Sequence, residues 1–278
     1  MVHGRITVLV ENTASGRGLL AEHGLSFWIE LGSRHILFDT GQGNVLSGNA
    51  RRLGIRLELA DAIVLSHGHY DHTGGLVDVL RIATRTKVYA HPSAFTPKYA
   101  RSPDGTVRDI GMPLLDEQKV RQKADLVWTE GPTEIFEGLH LTGPVPRVTD
   151  FEDTGGPFFT DKACTRPDDL VDDQAAFLET PVGTAVILGC AHAGIVNTLR
   201  YVQTLTDNRP IHTVMGGMHL LSASKDRMDQ TMAELRRLDV QRLLPCHCTG
   251  PAAMARLWSE FPGRCIPCPV GTVVDLKE

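Results

Sequence analysis

The sequence predicts an α/β fold in which sheets pack together and helices cover their outer faces. Two observations carry this. Short apolar runs of strand length alternate with helical apolar patterns, so each half of the chain supplies strands followed by helices. Glycine-bearing breaks set neighbouring runs into hairpins, at Gly32-Ser33 and at Pro181-Val182-Gly183. The 278 residues are enough to bury a sizeable core. A single domain over residues 1–278 is expected, with irregular lid or insert segments at about 93–133 and 143–173.

Residues 6–11 read as the first strand, followed by a loop over 12–24 that carries Ser15-Gly16-Arg17-Gly18. Residues 25–31 and 34–39 form the first hairpin, which ends in Asp39-Thr40-Gly41 before a helix at 45–53. The apolar run Ala62-Ile63-Val64-Leu65 leads into Ser66-His67-Gly68-His69-Tyr70-Asp71-His72-Thr73-Gly74-Gly75, and a helix follows at 76–83. Residues 87–91 form the next strand, stopped by Pro92. Strands resume near Leu126, Glu134 and Leu139, on either side of the punctuated stretches. The second hairpin pairs 174–180 with 184–189 and runs into Cys190-Ala191-His192, with a helix through Leu205. A strand at 211–215 ends in Gly216-Gly217-Met218-His219 before a helix at 225–238. The strand from Arg242 ends in Cys246-His247-Cys248, a helix covers 252–261, and a strand at 272–276 closes the chain.

Composition excludes several classes. Net charge is −5, so no global basic field recruits nucleic acid, and neither a basic stripe nor an appended binding domain is visible. No stretch approaches the roughly 20 apolar residues of a membrane span, and the start of the chain lacks a signal-peptide core. Six cysteines in a chain of this length do not make a disulfide scaffold, which points to a reducing cytoplasm.

The chemistry concentrates at strand ends. His67, His69, Asp71 and His72 put three imidazoles and a carboxylate into six positions, a composition suited to Zn, Mn or Fe. Three later strands also end in a histidine, at His192, His219 and His247, and one shared metal site explains them all. His91 stands alone and is left out. Asp39 has two readings: it orients a metal-bound histidine through the ring's other nitrogen, or it caps the turn before the helix. Cys246 and Cys248, with Cys265-x-x-Cys268, raise a separate four-cysteine zinc site against the alternative of free buried thiols.

His-x-His-x-Asp-His at a strand end resembles the signature of the metallo-β-lactamase superfamily. The resemblance covers nearly the whole chain. It implies a four-layer αββα sandwich with its metals at one edge of the two sheets. Phe38-Asp39-Thr40-Gly41, Val145-Pro146-Arg147, the run from Gly189 to Thr198, Gly216-Gly217-Met218-His219-Leu220 and Cys246-His247-Cys248-Thr249-Gly250 narrow it. They resemble the subgroup of 7,8-dihydropterin-6-methyl-4-(β-D-ribofuranosyl)aminobenzene-5′-phosphate synthase. By position, the resemblance implies one divalent ion on His67, His69 and His192, and another on Asp71, His72 and His247. Zinc is the first choice of ion, with Mn and Fe as alternatives. His219 stands where the superfamily usually has a bridging aspartate, so whether one ion binds or two is open.

The expected activity is hydrolysis by a metal-bound hydroxide, oriented by Asp71, which also serves as base. A neutral histidine in place of a bridging carboxylate leaves the site more positive, which favours a small anionic substrate, a phosphate ester or phosphodiester. Arg147 is the candidate phosphate contact. The alternatives are a pterin-diphosphate-dependent synthase and a non-catalytic metal- or ligand-binding protein. A homo-oligomer is compatible with the sequence.

Overall fold

The computed structural model describes residues 4–84, 86–114 and 116–276, so residues 1–3, part of the chain start weighed above, lie outside it. In chain order the strands of the first half are β1 (Gly4–Val10), β2 (Ser26–Leu31), β3 (Arg34–Phe38), β4 (Ala62–Val64), β5 (Lys87–Ala90), β6 (Tyr99–Arg101), β7 (Val107–Asp109) and β8 (Asp125–Trp128). The second half supplies β9 (Thr133–Phe136), β10 (Leu139–Leu141), β11 (Phe158–Phe159), β12 (Ala176–Thr180), β13 (Gly183–Leu188), β14 (Ile211–Gly217), β15 (Arg242–Cys246) and β16 (Val273–Asp275). The helices are α1 (Leu46–Arg52), α2 (Tyr70–Thr73), α3 (Leu76–Ile82), α4 (Glu117–Arg121), α5 (Ile195–Leu205), α6 (Lys225–Arg237) and α7 (Pro251–Glu260).

A seven-stranded sheet runs β16-β1-β2-β3-β4-β5-β8, and a six-stranded sheet runs β15-β14-β13-β12-β10-β9. Alternation along single strands explains why they stack. In β3, Ile36 and Phe38 enter the core between the sheets, while Leu37 faces outward against α1 and α3. In β13, Ala185 and Ile187 face the same inter-sheet core, while Val186 and Leu188 meet α5, α6 and α7. A strand with both faces apolar must be covered on both, and the four layers αββα follow.

Strand direction then positions the site. β3, β4, β5 and β8 are parallel neighbours, as are β13, β14 and β15. Parallel neighbours need crossover connections, here α1, α2–α3, α5 and α6. Their carboxyl ends, where Asp39, the histidine motif, His192, His219 and His247 follow, therefore gather at one edge. Local signals agree with this. Ser224 caps α6 by accepting from the Arg227 N–H, and Pro251 opens α7 directly after Gly250, whose φ is +80°.

The stretches read as irregular hold ordered pieces. β6, β7 and β11 form a third, three-stranded sheet; the strand expected near Leu126 is β8, parallel to β5 at the edge of the large sheet. Strands of two or three residues are too short to show a period, which is why the sequence pattern passes over them. No helix among the described residues is long and apolar enough to cross a membrane.

Candidate metal centre

The motif turn is held from below. The Gly68 N–H donates to Asp172 Oδ2 at 2.8 Å, and a Cβ on Gly68 would come within 2.2 Å of the Ala94 carbonyl oxygen. Asp172 in turn pairs with Lys98 Nζ at 2.9 Å, and Lys98 also reaches Asp168 at 3.0 Å. All three side chains are buried, so the segments around the motif clamp its turn through a compensated ion cluster.

Three imidazoles form one group. His67 Nε2 and His69 Nδ1 lie 3.0 Å apart, and with a His192 ring nitrogen these atoms fall within 4.8 Å of one another. The outer nitrogens of His67 and His192 are anchored. The Ser66 hydroxyl lies 2.7 Å from Asp39 Oδ2 and 2.9 Å from His67 Nδ1, so it donates to the carboxylate and accepts from the ring. His192 Nδ1 donates to the Thr154 carbonyl at 2.9 Å, which leaves Nε2 as a lone pair, and that atom is buried without a partner.

A second group sits beside it. His72 Nε2 and His247 Nε2 are 3.2 Å apart, and Asp71 Oδ2 is 3.3 Å from the latter and 3.8 Å from the former. Asp39 Oδ2 lies 2.7 Å from His72 Nδ1, and Asn12 Oδ1 accepts from His247 Nδ1 at 3.0 Å. Of the two readings of Asp39, orientation of a histidine agrees with this geometry. Zn–N bonds of 2.0–2.1 Å give a tetrahedral edge of about 3.3 Å, close to the nitrogen separations in both groups. Buried imidazole nitrogens and a carboxylate converge at the separations that the ligands of one ion adopt, so the residues fit divalent ions.

Backbone strain marks the same positions. Asp39, Ala191, His219 and His247 have φ of +58°, +54°, +43° and +52°, a region that costs non-glycine residues energy and is found at functional turns. Asparagine tolerates this conformation better than alanine. Asp39→Ala, which strands the Ser66 N–H, the Ser66 hydroxyl and His72 Nδ1, is expected to cost about 3–5 kcal/mol. Asp39→Asn is expected to cost clearly less. Urea unfolding of the metal-free protein measures both, and equal losses would refute the account.

The two groups differ electrostatically. Burial, reinforced by the neighbouring imidazoles, pushes His67 and His192 well below the usual histidine range. Burial likewise lowers His69, to about 3. For His72, burial acts in the same direction, but the Asp39 and Asp71 carboxylates outweigh it and raise the ring to about 9. Burial opposes ionisation of Asp71, yet His72 and hydrogen bonds from His23 and His247 hold it well below the usual carboxylate range.

The structure thus brings His67, His69, Asp71, His72, His192 and His247 together with Asp39 behind them. His219 stands with Cys190 and His192, not between the groups, and its Nδ1 is buried without a partner. Arg147 is a correction: its Nη2 donates to the Asp169 carbonyl at 2.8 Å, and it lines a neighbouring cavity with Asp153 and Leu170. The cavity over the histidines, about 340 Å³, takes its arginine from β7 as Arg108, and Phe158 from β11. Of the two readings of the cysteines, free thiols agree with the structure. β15 stops at Cys246, which packs with Cys268 in the inter-sheet core, and the turn at His247 swings Cys248 toward Cys190. Strand alternation does not apply past the end of the strand.

Sequence reasoning missed His23, whose Nε2 lies 3.1 Å from Asp71 Oδ2, together with Arg108, Phe158 and the position of Cys190. His23 and Arg108 sit in a loop and a short strand, where no periodic pattern marks them. Cys190 is two residues before His192, and that closeness in sequence is the one signal available.

An αββα sandwich with two histidine-rich donor groups at the carboxyl edge of its sheets defines a class of metal-dependent proteins, and this chain belongs to it. Residues 20–247 match the family model of the metallo-beta-lactamase superfamily, so the chain is a member of that superfamily. It is 35% identical over 253 residues to MJ0448, an uncharacterized protein of Methanocaldococcus jannaschii, covering 91% of this chain and 93% of the relative. It is 29% identical over 251 residues to the 7,8-dihydropterin-6-methyl-4-(beta-D-ribofuranosyl)-aminobenzene-5'-phosphate synthase of the same organism, covering 87% and 85%. The crystal structure of Tm1679, a metal-dependent hydrolase of the beta-lactamase superfamily, is similar with a TM-score of 0.84 and 33% identity, covering 99% of this chain and 100% of that one.

Proposed function

We propose that this protein is a metal-dependent hydrolase of a small anionic molecule, a phosphate ester or phosphodiester. The observation that carries the reading is the anchoring of His67, His72, His192 and His247 through Nδ1, which leaves their Nε2 atoms facing the centre beside a cavity that holds Arg108. In this reading His67, His69 and His192 hold one divalent ion, and Asp71, His72 and His247 hold a second. Zinc suits the donors best, with Mn and Fe as alternatives. When bound, such ions supply Lewis acidity that makes water a stronger acid and polarises a substrate oxygen.

The chain's own residues supply the rest. Asp71 accepts a hydrogen bond from the attacking water and orients it, and the exposed ring of His23 beside Asp71 passes the proton to solvent. Asp39 and Ser66 keep the ring tautomers of His72 and His67 that turn Nε2 inward. Arg108 binds the substrate's anionic group, replacing the role first given to Arg147.

Hydrolysis of an activated aryl phosphodiester, a lactone and a β-lactam by the metal-loaded protein tests the reading. The phosphodiester is expected to lead, and a clear lead for the β-lactam would overturn it. Arg108→Ala is expected to raise KM for the phosphodiester about 10- to 100-fold, the worth of a hydrogen bond to a charged group, with the lactone little affected. Equal changes for both substrates would remove Arg108 from anion binding. The identity to the synthase supports a second reading, in which the same donors hold a leaving diphosphate. Pyrophosphate release from a pterin diphosphate that requires an aromatic amine partner would favour it over hydrolysis.

A further inference from the structure

We propose that the Cys190 thiolate bridges the two metal positions, a role that His219, at the place of the superfamily's usual bridging aspartate, does not fill. This rests on the two-ion reading above and adds a ligand to it. Of five clusters of potential ligand atoms in the described residues, Cys190 belongs to three: with His67 and His72, with His192 and His219, and with His247 and Cys248. Among the described residues, only Cys190 is grouped with all four of His67, His72, His192 and His247, two from each side of the centre. Its Sγ lies 3.2 Å from His72 Nε2, near the roughly 3.6 Å edge that a Zn–S bond of 2.3 Å and a Zn–N bond of 2.0–2.1 Å would span.

The chain is shaped to put that sulfur there. Cys190 and His192 follow the end of β13 on either side of Ala191, whose φ of +54° turns the chain there. Gly189 lets the strand end approach the motif, since a Cβ there would lie 2.1 Å from Ser66 Oγ. Gly217 does the same from β14, where a Cβ would lie 2.6 Å from Cys248 Sγ and 3.3 Å from the Cys190 Cα. His219 is grouped with Cys190 and His192 and with none of His67, His72 and His247, and a Cβ on Gly155 would collide with its ring. Chemistry makes the same choice. A neutral imidazole nitrogen has one lone pair and serves one ion, whereas a thiolate sulfur has several and can serve two. The partnerless, buried Nε2 of His192 shows that the space beside Cys190 lacks a partner that the protein itself supplies.

Cobalt(II) loading tests the bridge through a readout that does not need turnover. The wild-type protein is expected to bind two cobalt ions per chain and to show a near-ultraviolet sulfur-to-cobalt charge-transfer band. C190S is expected to lose the band and to bind the second ion at least tenfold more weakly, whereas C248S keeps both. C190D, which offers a bridging carboxylate, is expected to keep the second ion without the band, which separates ligation from misfolding. Two bound cobalt ions with no sulfur band, or a band that survives C190S and disappears in C248S, would overturn the bridge while leaving the metal-site reading intact. Failure of the wild type to bind cobalt, or full retention of both ions in H67A, would overturn the metal-site reading, and the bridge with it.

Discussion

Asp71→Asn is expected to lower kcat/KM for an activated aryl phosphodiester about 10²- to 10⁴-fold, the range that a positioned acid–base group contributes. Asparagine keeps the shape of aspartate and one oxygen but removes the charge. That charge is unusually exercised here, because Asp71 Oδ2 contacts His23 at 3.1 Å, His247 at 3.3 Å and His72 at 3.8 Å. Without it, three imidazoles face a neutral amide, water loses the acceptor that orients it, and the second donor group loses its anionic member. Steady-state kinetics together with metal stoichiometry measure the effect. A loss under tenfold with both ions retained would show that Asp71 neither orients water nor holds an ion.

The two ions are expected to respond differently to pH. In the metal-free protein His69 titrates at about 3, and His67 and His192 are also depressed, so their lone pairs are free throughout the neutral range. These three histidines then add no pH dependence to ion binding above about 6.5, the ordinary histidine value, and a slope shared by both ions comes from the Cys190 thiol, which releases its proton on ligation. His72 is protonated until about 9 and must release its proton to bind an ion. The His72 proton therefore adds a rise of about tenfold per pH unit at the second group between about 6.5 and 9. Calorimetric titrations in buffers of different ionisation heat separate the two, and identical slopes would refute the assignment.

Stability of the metal-free protein carries the same signs. His72 has a folded value above its unfolded one. Its contribution is fully present below about 6.5 and is lost as pH rises through about 9. His69 has a folded value below its unfolded one. Its contribution is present above about 6.5 and is lost as pH falls toward about 3.

Much of the architecture is legible in the sequence because burial leaves a period. Ile36, Leu37 and Phe38 alternate between two apolar environments, and Ala185 to Leu188 do the same. Such runs announce strands covered on both faces. The motif from His67 to His72 is legible for a different reason: ligands that lie close in sequence must lie close in space. His192 and His247 are found because each follows a strand whose end is marked by small residues.

What only the tertiary structure decided lies where chain separation is large and no period applies. Asp39 meets His72 across 33 residues, Cys190 meets His72 across 118, and Asn12 meets His247 across 235. Each contact depends on which strands are neighbours and how far each extends. Arg108 stands in a three-residue strand that pairs with β6, and Cys248 lies past the end of β15, beyond the left-handed residue His247. The sequence by itself determined the layers, the edge that carries the site and most of its nitrogen donors. Packing decided where Cys190, Arg108 and Asp39 stand relative to those donors, because their positions are set by the relative placement of strand ends and not by any local pattern along the chain.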